Sequence, residues 1–422
     1  ISNTLGIITL ILKTSFYKFK YLLKIIDMNI LQIAPKIPYP LYDGGAIGIF
    51  NITKYLALRG NNITFITFSY DDKTDYQELQ KYCRVLTVKK NNKNSKIGAF
   101  LSIFSKIPYT HKKYFCSEIF DLIDEELKNN SYDIVHIDHL HMSIYGKYIK
   151  KKYKLPVVLR EHNYETLIWE RLYKNEKNFF KKMFFKNQYS KINVYEPEEC
   201  KFFDKCLMVT KDDLNKLLSR NQNINTEVVP AGVDIDYFSN FDNAIIQKKT
   251  ILFIGSLEWF PNLDAFKWFY KKIFPLVLKK VPDVKLYVIG KNPPEEIRNI
   301  KDPNVEIYGM VEDIRPFVSK ANVCVVPLRI GGGIRIKIIE LLSMKKAIVT
   351  TSIGIEGIDV IDGEHLIVKD SENDFADTII KLFNDDDLVY KLGYNGFNLI
   401  KNKYGWNIIA EQIENIYKKL IN

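Results

Sequence analysis

Nothing in these 422 residues reads as a cleavable export signal, and the apolar run LGIITLIL stops at Lys13 after eight residues. A bilayer span needs about 20, so no transmembrane segment is expected. Cysteine is scarce: Cys83, Cys116, Cys200, Cys206 and Cys324 lie scattered, without the spacing of a zinc site or a disulfide framework. A reducing cytoplasm is the expected location. Neither half has G-x-G-x-x-G at its first strand with an acid about 20 residues on, which argues against a nicotinamide-dependent oxidoreductase or epimerase. The lysine after the glycine triplet at 331–333 is followed by Ile338, not by Ser or Thr, so the triplet is not a nucleoside-triphosphate loop.

What is present is an ordinary globular composition, 46% apolar with 20 glycines and 15 prolines. The chain is too long for one compact core and is expected to make two domains of about 200 residues. Its net charge of +11 is uneven: residues 1–240 hold 36 Lys+Arg against 26 Asp+Glu, and the remainder 25 against 24. The first half therefore suits an anionic surface. Nucleic acid would account for the charge but not for the paired domains, and is not expected as a partner.

Short β-branched runs alternate with longer helical patterns, the signature of parallel sheets flanked by helices. NILQIA, ITFITF, RVLTV, DIVHI, PVVLRE, KCLMVT and TEVVP are the strands of the first half. TILFIGS, VKLYVIG, VEIYG, NVCVVP, KAIVTT and HLIV are those of the second. Periodicity breaks over residues 235–248. The expected architecture is α/β, two doubly wound Rossmann-like domains (28–240 and 241–405) facing each other across a cleft between the carboxyl ends of their sheets. Residues 406–422 read as a helix that closes the second domain or crosses back to the first. Residues 1–27 read as an N-terminal extension, a basic amphipathic helix or a segment upstream of the typical strand start at Met28. Within 165–205, KNFFKKMFFKNQYSK interleaves Phe and Lys, the composition of a core-facing helix with a solvated basic side or of a membrane-surface contact.

Four motifs carry chemistry. In PLRIGGGIRIKIIELL, Gly331, Gly332 and Gly333 leave backbone amides open at a helix start, an anion site suited to a diphosphate. Arg335 and Lys337 stand two apart, so both reach one anion only if Arg335 is still in the loop. Lys337, Glu340 and Met344 share one helix face; Glu340 suits a ribose diol, or simply pairs with Lys337. In DGGAIGIF, Gly44 and Gly45 open the first helix and either admit a donor phosphate or acceptor or make a plain tight turn. VVLREHNYE ends a strand with Arg160, Glu161, His162 and Asn163, the last also a candidate helix cap. His136, Asp138, His139 and His141 alternate from strand into loop without the i, i+4 spacing of a zinc site, so no metal is expected.

In combination, PYPLYDGGAIGIFNITKYLALRGNNITFIT, REHNYETLIWERL, VVPAGVDIDYF, ILFIGSLEWFPNLDA and VPLRIGGGIRIKIIELLSMKKAIVTTSIGIEGI resemble the family 4 (group 1) glycosyltransferases of the two-domain GT-B fold, from Met28 to the C-terminus. The resemblance implies a retaining, metal-independent transferase without cofactor. It would move a sugar from a nucleotide diphosphate donor, and the basic first half with the Phe/Lys helix points to a glycan or lipid-linked acceptor for cell-surface polysaccharide at the inner face of the plasma membrane, in peripheral contact with anionic lipid. A non-catalytic sugar-nucleotide-binding or scaffold protein of the same fold is the alternative. His162 matches the family's sugar-contacting histidine and, with Arg335 and Lys337, makes the catalytic set. Gly44, Gly45, Gly255, Met310, Val311, Gly331, Gly332, Gly333, Glu340, Gly354 and Glu356 are the donor-binding set, and Asp43, His139 and Asn163 lie on the acceptor side. Two departures stand out: the first of the family's paired glutamates falls at Gly332, and GSLEWFPNLDA lacks the usual Arg and Lys. Arg335 and Lys337 are expected to supply that charge.

Overall fold

The computed structural model describes residues 28–41, 44–70, 76–90, 92, 94–241, 245–331 and 333–422. The expectations for residues 1–27, Asp43 and Gly332 lie outside the described residues. The first sheet contains β1 (Asn29–Ile33), β2 (Asn62–Ser69), β3 (Arg84–Lys89), β4 (Ile134–Asp138), β5 (Val157–Glu161), β6 (Lys205–Met208) and β7 (Thr226–Val228) in the order 3-2-1-4-5-6-7. The second contains β8 (Thr250–Ile254), β9 (Lys285–Ile289), β10 (Val305–Gly309), β11 (Val323–Val326), β12 (Ile348–Thr350) and β13 (Ile367–Val368) in the order 10-9-8-11-12-13. Every pairing is parallel. Each strand expected from the sequence falls on one of these. The reason is physical: a parallel strand covered by helices on both faces is a continuous apolar run, and β4, β5 and β11 are buried along their whole length.

Seven helices position the site: α1 (Gly44–Leu58), α2 (Lys96–Ser102), α3 (Glu165–Asn175), α4 (Phe179–Phe202), α5 (Phe260–Trp268), α6 (Ile336–Ser343) and α7 (Trp406–Ile421). On α6 the apolar stripe Ile338, Ile339, Leu341 and Leu342 is at most 2% exposed and packs into the second core, so Lys337 and Glu340 face away from it. The amino end of α3 is capped by Glu196 of α4, whose carboxylate accepts the N–H groups of Glu165 (2.7 Å) and Thr166 (2.8 Å). A carboxylate there complements the positive end of the helix and fixes α3 against α4.

The chain passes between the sheets twice, side by side. Val233 N–H donates to Tyr404 O at 2.7 Å and Trp406 N–H donates back to Val233 O at 3.2 Å. A Cβ on Gly232 would come within 2.7 Å of the Trp406 ring and 2.9 Å of Tyr404 O, which is why the crossing is glycine. Helix α7 then packs on the first sheet's core: Trp406, Ile409, Ala410, Ile413 and Tyr417 share one apolar cluster with Met28, Ile30, Ile49 and Leu56. Arg59, just after α1, pairs with Glu414 at 2.5 Å, and Gln412 donates to Val228 O at 2.8 Å.

Candidate active site

In both sheets the strand order reverses beside the first strand, at β1/β4 and β8/β11, and open α/β folds bind ligands outside the carboxyl ends at such points. The segments leaving those ends meet. A Cβ on Gly44 would lie 3.7 Å from Ile336, one on Gly333 3.5 Å from Asn163 Oδ1, and one on Gly357 2.9 Å from Thr210. Arg171 of α3 donates to Gly331 O at 3.2 Å. Gly44, Asn163 and Arg171 on one side thus face Gly331, Gly333 and Ile336 on the other. A larger depression of about 560 Å³ opens at the amino ends of β1, β2 and β3, beside Asn29, Asn62 and Arg84. That is the wrong edge of the sheet for this kind of site.

On the second domain, the loop after β11 contains Gly331 (φ 152°) and Gly333 (φ 72°). A Cβ on Gly331 would strike the Arg335 guanidinium at 2.7 Å. Arg335 immediately precedes α6 in a non-helical conformation, the condition for it and Lys337 to avoid opposite faces. Its guanidinium turns back into the loop, donating to Gly333 O (2.8 Å) and Ile353 O (3.4 Å) and lying 3.6 Å from Glu356.

Lys337 goes elsewhere. Its Nζ donates to Ile254 O at 3.1 Å and Asn262 Oδ1 at 2.8 Å, at the carboxyl end of β8 and the start of α5. A Cβ on Gly255 would sit 2.9 Å from that Nζ, so the glycine is what lets the ammonium in. Among the described residues, two of the three donors of an ammonium are used. Burial, with help from the Arg335 charge, pushes the Lys337 pKa down to about 8, against the opposing pull of Glu340. Glu340, one turn further along α6, is pushed up to about 7 by burial, with Lys337 acting the other way. Its half-buried carboxylate accepts no hydrogen bond from any described residue.

The remaining donor-side residues line the same edge. Met310 is 73% exposed just after Gly309 (φ 69°) at the end of β10, with Val311 half-buried beside it. A Cβ on Gly354 would lie 1.9 Å from Thr350 Oγ1, so this glycine serves the tight turn after β12. The Glu356 side chain is half-exposed and faces Arg335. Gly45 is half-buried in the first turn of α1.

On the first domain, Asp138 at the end of β4 is the hub. Its carboxylate accepts from Gln32 Nε2 at 2.7 Å and His162 Nε2 at 3.1 Å, and lies 3.4 Å from His136 Nε2 and 3.7 Å from Arg160 Nη1. Burial alone would raise its pKa; His136 and His162 hold it well below the usual carboxylate range. His162 is pushed down to about 4 by burial and by the Arg160 charge, so its ring is neutral at pH 7. Its Nε2 also lies 2.9 Å from Arg160 Nη1, so this nitrogen sits between both halves of an ion pair and, as the donor to Asp138, offers Arg160 no lone pair. Tyr417 of α7 closes the network from behind by hydrogen-bonding His136 Nδ1. A Cβ on Gly48 of α1 would press to 3.1 Å on Arg160 and 3.3 Å on His162.

The histidines of this end stack on one another. His162 lies on His139 at 3.9 Å and 12°, His139 on His141 at 5.0 Å and 24°, and His141 on Tyr114 at 4.3 Å and 28°. His139 carries φ 71°, a costly conformation for a residue with a side chain. A cavity of about 230 Å³ opens beside this stack, lined by His139, His162, Asn163, Glu165, Ile168 and Leu172. Gln32, Gly48, Arg171, Asn262 and Tyr417 escape a reading of the sequence, because each acts on a partner distant in the chain. Only Asn262 leaves a local signal, a polar residue directly after the Pro261 that opens α5.

Two facing Rossmann-like domains are the architecture of the GT-B class of glycosyltransferases; here one carries a cationic helix start and the other the half-buried His162. Residues 42–237 match the family described as Glycosyltransferase Family 4, and residues 248–385 that described as Glycosyl transferases group 1. The chain belongs to these group 1, family 4 glycosyltransferases. It is similar to an uncharacterized 44.6 kDa protein of the cps region of Klebsiella pneumoniae, with 23% identity over 89% of this chain and 96% of that protein. A capsular polysaccharide biosynthesis glycosyltransferase, CapM of Staphylococcus aureus, is 29% identical over 35% of this chain and 41% of CapM. The fold is shared with sucrose-phosphate synthase of Thermosynechococcus elongatus (TM-score 0.66, 17% identity, 93% of this chain and 99% of that one). It is shared also with Anabaena HepE solved in complex with UDP (TM-score 0.63, 12% identity, 93% and 100%).

Proposed function

We propose that the protein transfers a sugar from a nucleotide diphosphate donor to a glycan or lipid-linked glycan in capsular polysaccharide synthesis, with retention of configuration and without a metal. The observation that carries this reading is the Lys337 ammonium at the end of β8 beside the uncommitted Glu340 carboxylate. GSLEWFPNLDA begins at that strand end and lacks the family's cations, and Lys337 brings one to the same place from α6. In the proposed complex the diphosphate lies against Lys337 and the amides of the glycine loop, which Arg335 braces. Glu340 accepts from the ribose hydroxyls, and the backbone around Met310 and Val311 meets the base.

Bond cleavage at the sugar carbon places negative charge on the leaving diphosphate. A preorganised ammonium and helix-start amides stabilise that charge as it develops. His162, neutral and fixed by Asp138 and Arg160, contacts the sugar from the other domain, while His139 and Asn163 belong to the acceptor side. Approach of the domains about residues 235–248 excludes water and favours transfer over hydrolysis. The names of CapM and HepE make capsular glycan the first acceptor to test and uridine the first base. The scaffold reading keeps one point in its favour, the glycine at 332 in place of an acid.

Calorimetric titration with UDP, GDP and ADP and their sugars tests the donor site, and turnover of radiolabelled donor against lipid extract separates enzyme from scaffold. A pH series adds a signature. The Lys337 pKa lies below the ordinary lysine value, at about 8, so the ammonium is present at pH 7 and lost as the pH rises through that value. Donor affinity should therefore fall by up to about tenfold per unit above pH 8. Affinity that is flat from pH 7 to 9.5 would remove Lys337 from the diphosphate site.

A further inference from the structure

We propose that the first domain docks on an anionic lipid surface through one face, built from α2, the segment after it and the amino-terminal half of α4. Ile97, Phe100, Leu101 and Phe104 are 74, 60, 54 and 78% exposed, and Phe179, Phe180 and Met183 are 67, 80 and 57% exposed. An exposed apolar patch of this kind marks an interaction site.

The two stretches form a single surface. Lys191 of α4 donates to Ser102 O at 2.5 Å and Ile103 O at 3.0 Å, and Gln188 Oε1 accepts the Tyr109 N–H at 2.8 Å. Two to three helical turns separate these tie points from Phe180, about 12–16 Å at 1.5 Å per residue, so the apolar tips spread over a broad face.

Charge selects the occupant. Residues 79–117 contain nine Lys+Arg and no acid, and residues 177–195 contain five and no acid. Lys96, Lys106, Lys177, Lys181 and Lys186 are exposed around the apolar tips. A second copy of the chain would bring like charges face to face with the same apolar tips, which costs more than it gains. A bilayer with anionic headgroups accepts the rings below the headgroup level and the ammoniums at it. Among the described residues no helix is long and apolar enough to cross a membrane, and the proposed contact is one of this surface with the headgroup region.

The surface also has a place in the proposed reaction. Ile168 and Leu172 of α3 line the cavity beside His162 and are themselves 42 and 41% exposed, giving that cavity an apolar rim on the helix packed along α4. A sugar carried on a membrane lipid would enter there. This last step rests on the glycosyltransferase reading; the docking does not.

The test is co-sedimentation of the full chain with phosphatidylcholine vesicles, with and without phosphatidylglycerol, beside calorimetry with a donor nucleotide. The chain is expected to partition onto the anionic vesicles only, and less as salt is raised. Phe100→Ser, Phe104→Ser, Phe179→Ser and Phe180→Ser combined should lower partition at least tenfold with an unchanged melting curve. Lys96→Gln and Lys181→Gln should each lower it about fivefold. Equal partition of variant and wild type overturns the proposal, as does failure of wild type to bind anionic vesicles. Concentration-dependent self-association of the wild type that the four substitutions abolish also overturns it. Donor affinity is read separately, so its loss counts against the transferase reading alone.

Discussion

Alanine at both Arg335 and Lys337 is expected to abolish measurable nucleotide-sugar binding, a loss of at least a hundredfold in calorimetric titration. The two side chains contribute differently, so the single variants should separate. Lys337→Ala removes the half-buried ammonium at the end of β8 and releases Asn262 and Ile254 O from it. A charge-assisted hydrogen bond contributes about 1.5–3 kcal/mol, some 10- to 150-fold in affinity. Arg335→Ala removes the brace from Gly333 O and Ile353 O, so the loop amides lose their alignment and the loss is smaller. Donor affinity within threefold of wild type in the double variant would show that the diphosphate binds elsewhere.

Asp138→Ala is expected to be the most damaging single change in the first domain. It leaves the Arg160 guanidinium buried with two imidazoles and no counter-charge. Breaking a buried pair in this way costs about 3–5 kcal/mol, visible as a shifted urea midpoint. The pH dependence has a definite sign. The Asp138 pKa is depressed in the fold, so its contribution is complete above the unfolded carboxylate value near 4 and erodes as the pH falls below it. Wild type and variant should therefore differ most at neutral pH and converge on acidification. A difference under about 1 kcal/mol at pH 7 would mean that the network is not held through Asp138.

The fold was largely legible in the sequence because its strands are covered on both faces and read as unbroken apolar runs. The α6 face was legible too: Ile338, Leu341 and Leu342 mark the buried stripe, and helical spacing then turns Lys337 and Glu340 away from it. What lay beyond reach was the destination of the Lys337 side chain, set by a glycine 82 positions earlier in the chain. The part Asp138 plays was hidden for a similar reason. Its partners come from β1, β4 and β5, and α7 reaches one of them in turn, so no local pattern points to it. Gly48 illustrates the limit within DGGAIGIF itself: spacing draws attention to Gly44 and Gly45, while packing against Arg160 and His162 shows only in three dimensions.

The seat of α7 has a consequence for how the protein is made. The core around Met28, Ile30 and Ile49 is completed by Trp406, Ile409 and Tyr417, which leave the ribosome after both sheets have been synthesised. Until then the first domain has an open apolar flank, and His136 lacks the phenol that backs it. Domains of a nascent chain generally fold in order of emergence. Here the earlier one must wait for the later, so premature termination just short of residue 406 would spoil the amino-terminal half of the molecule, not only its tail.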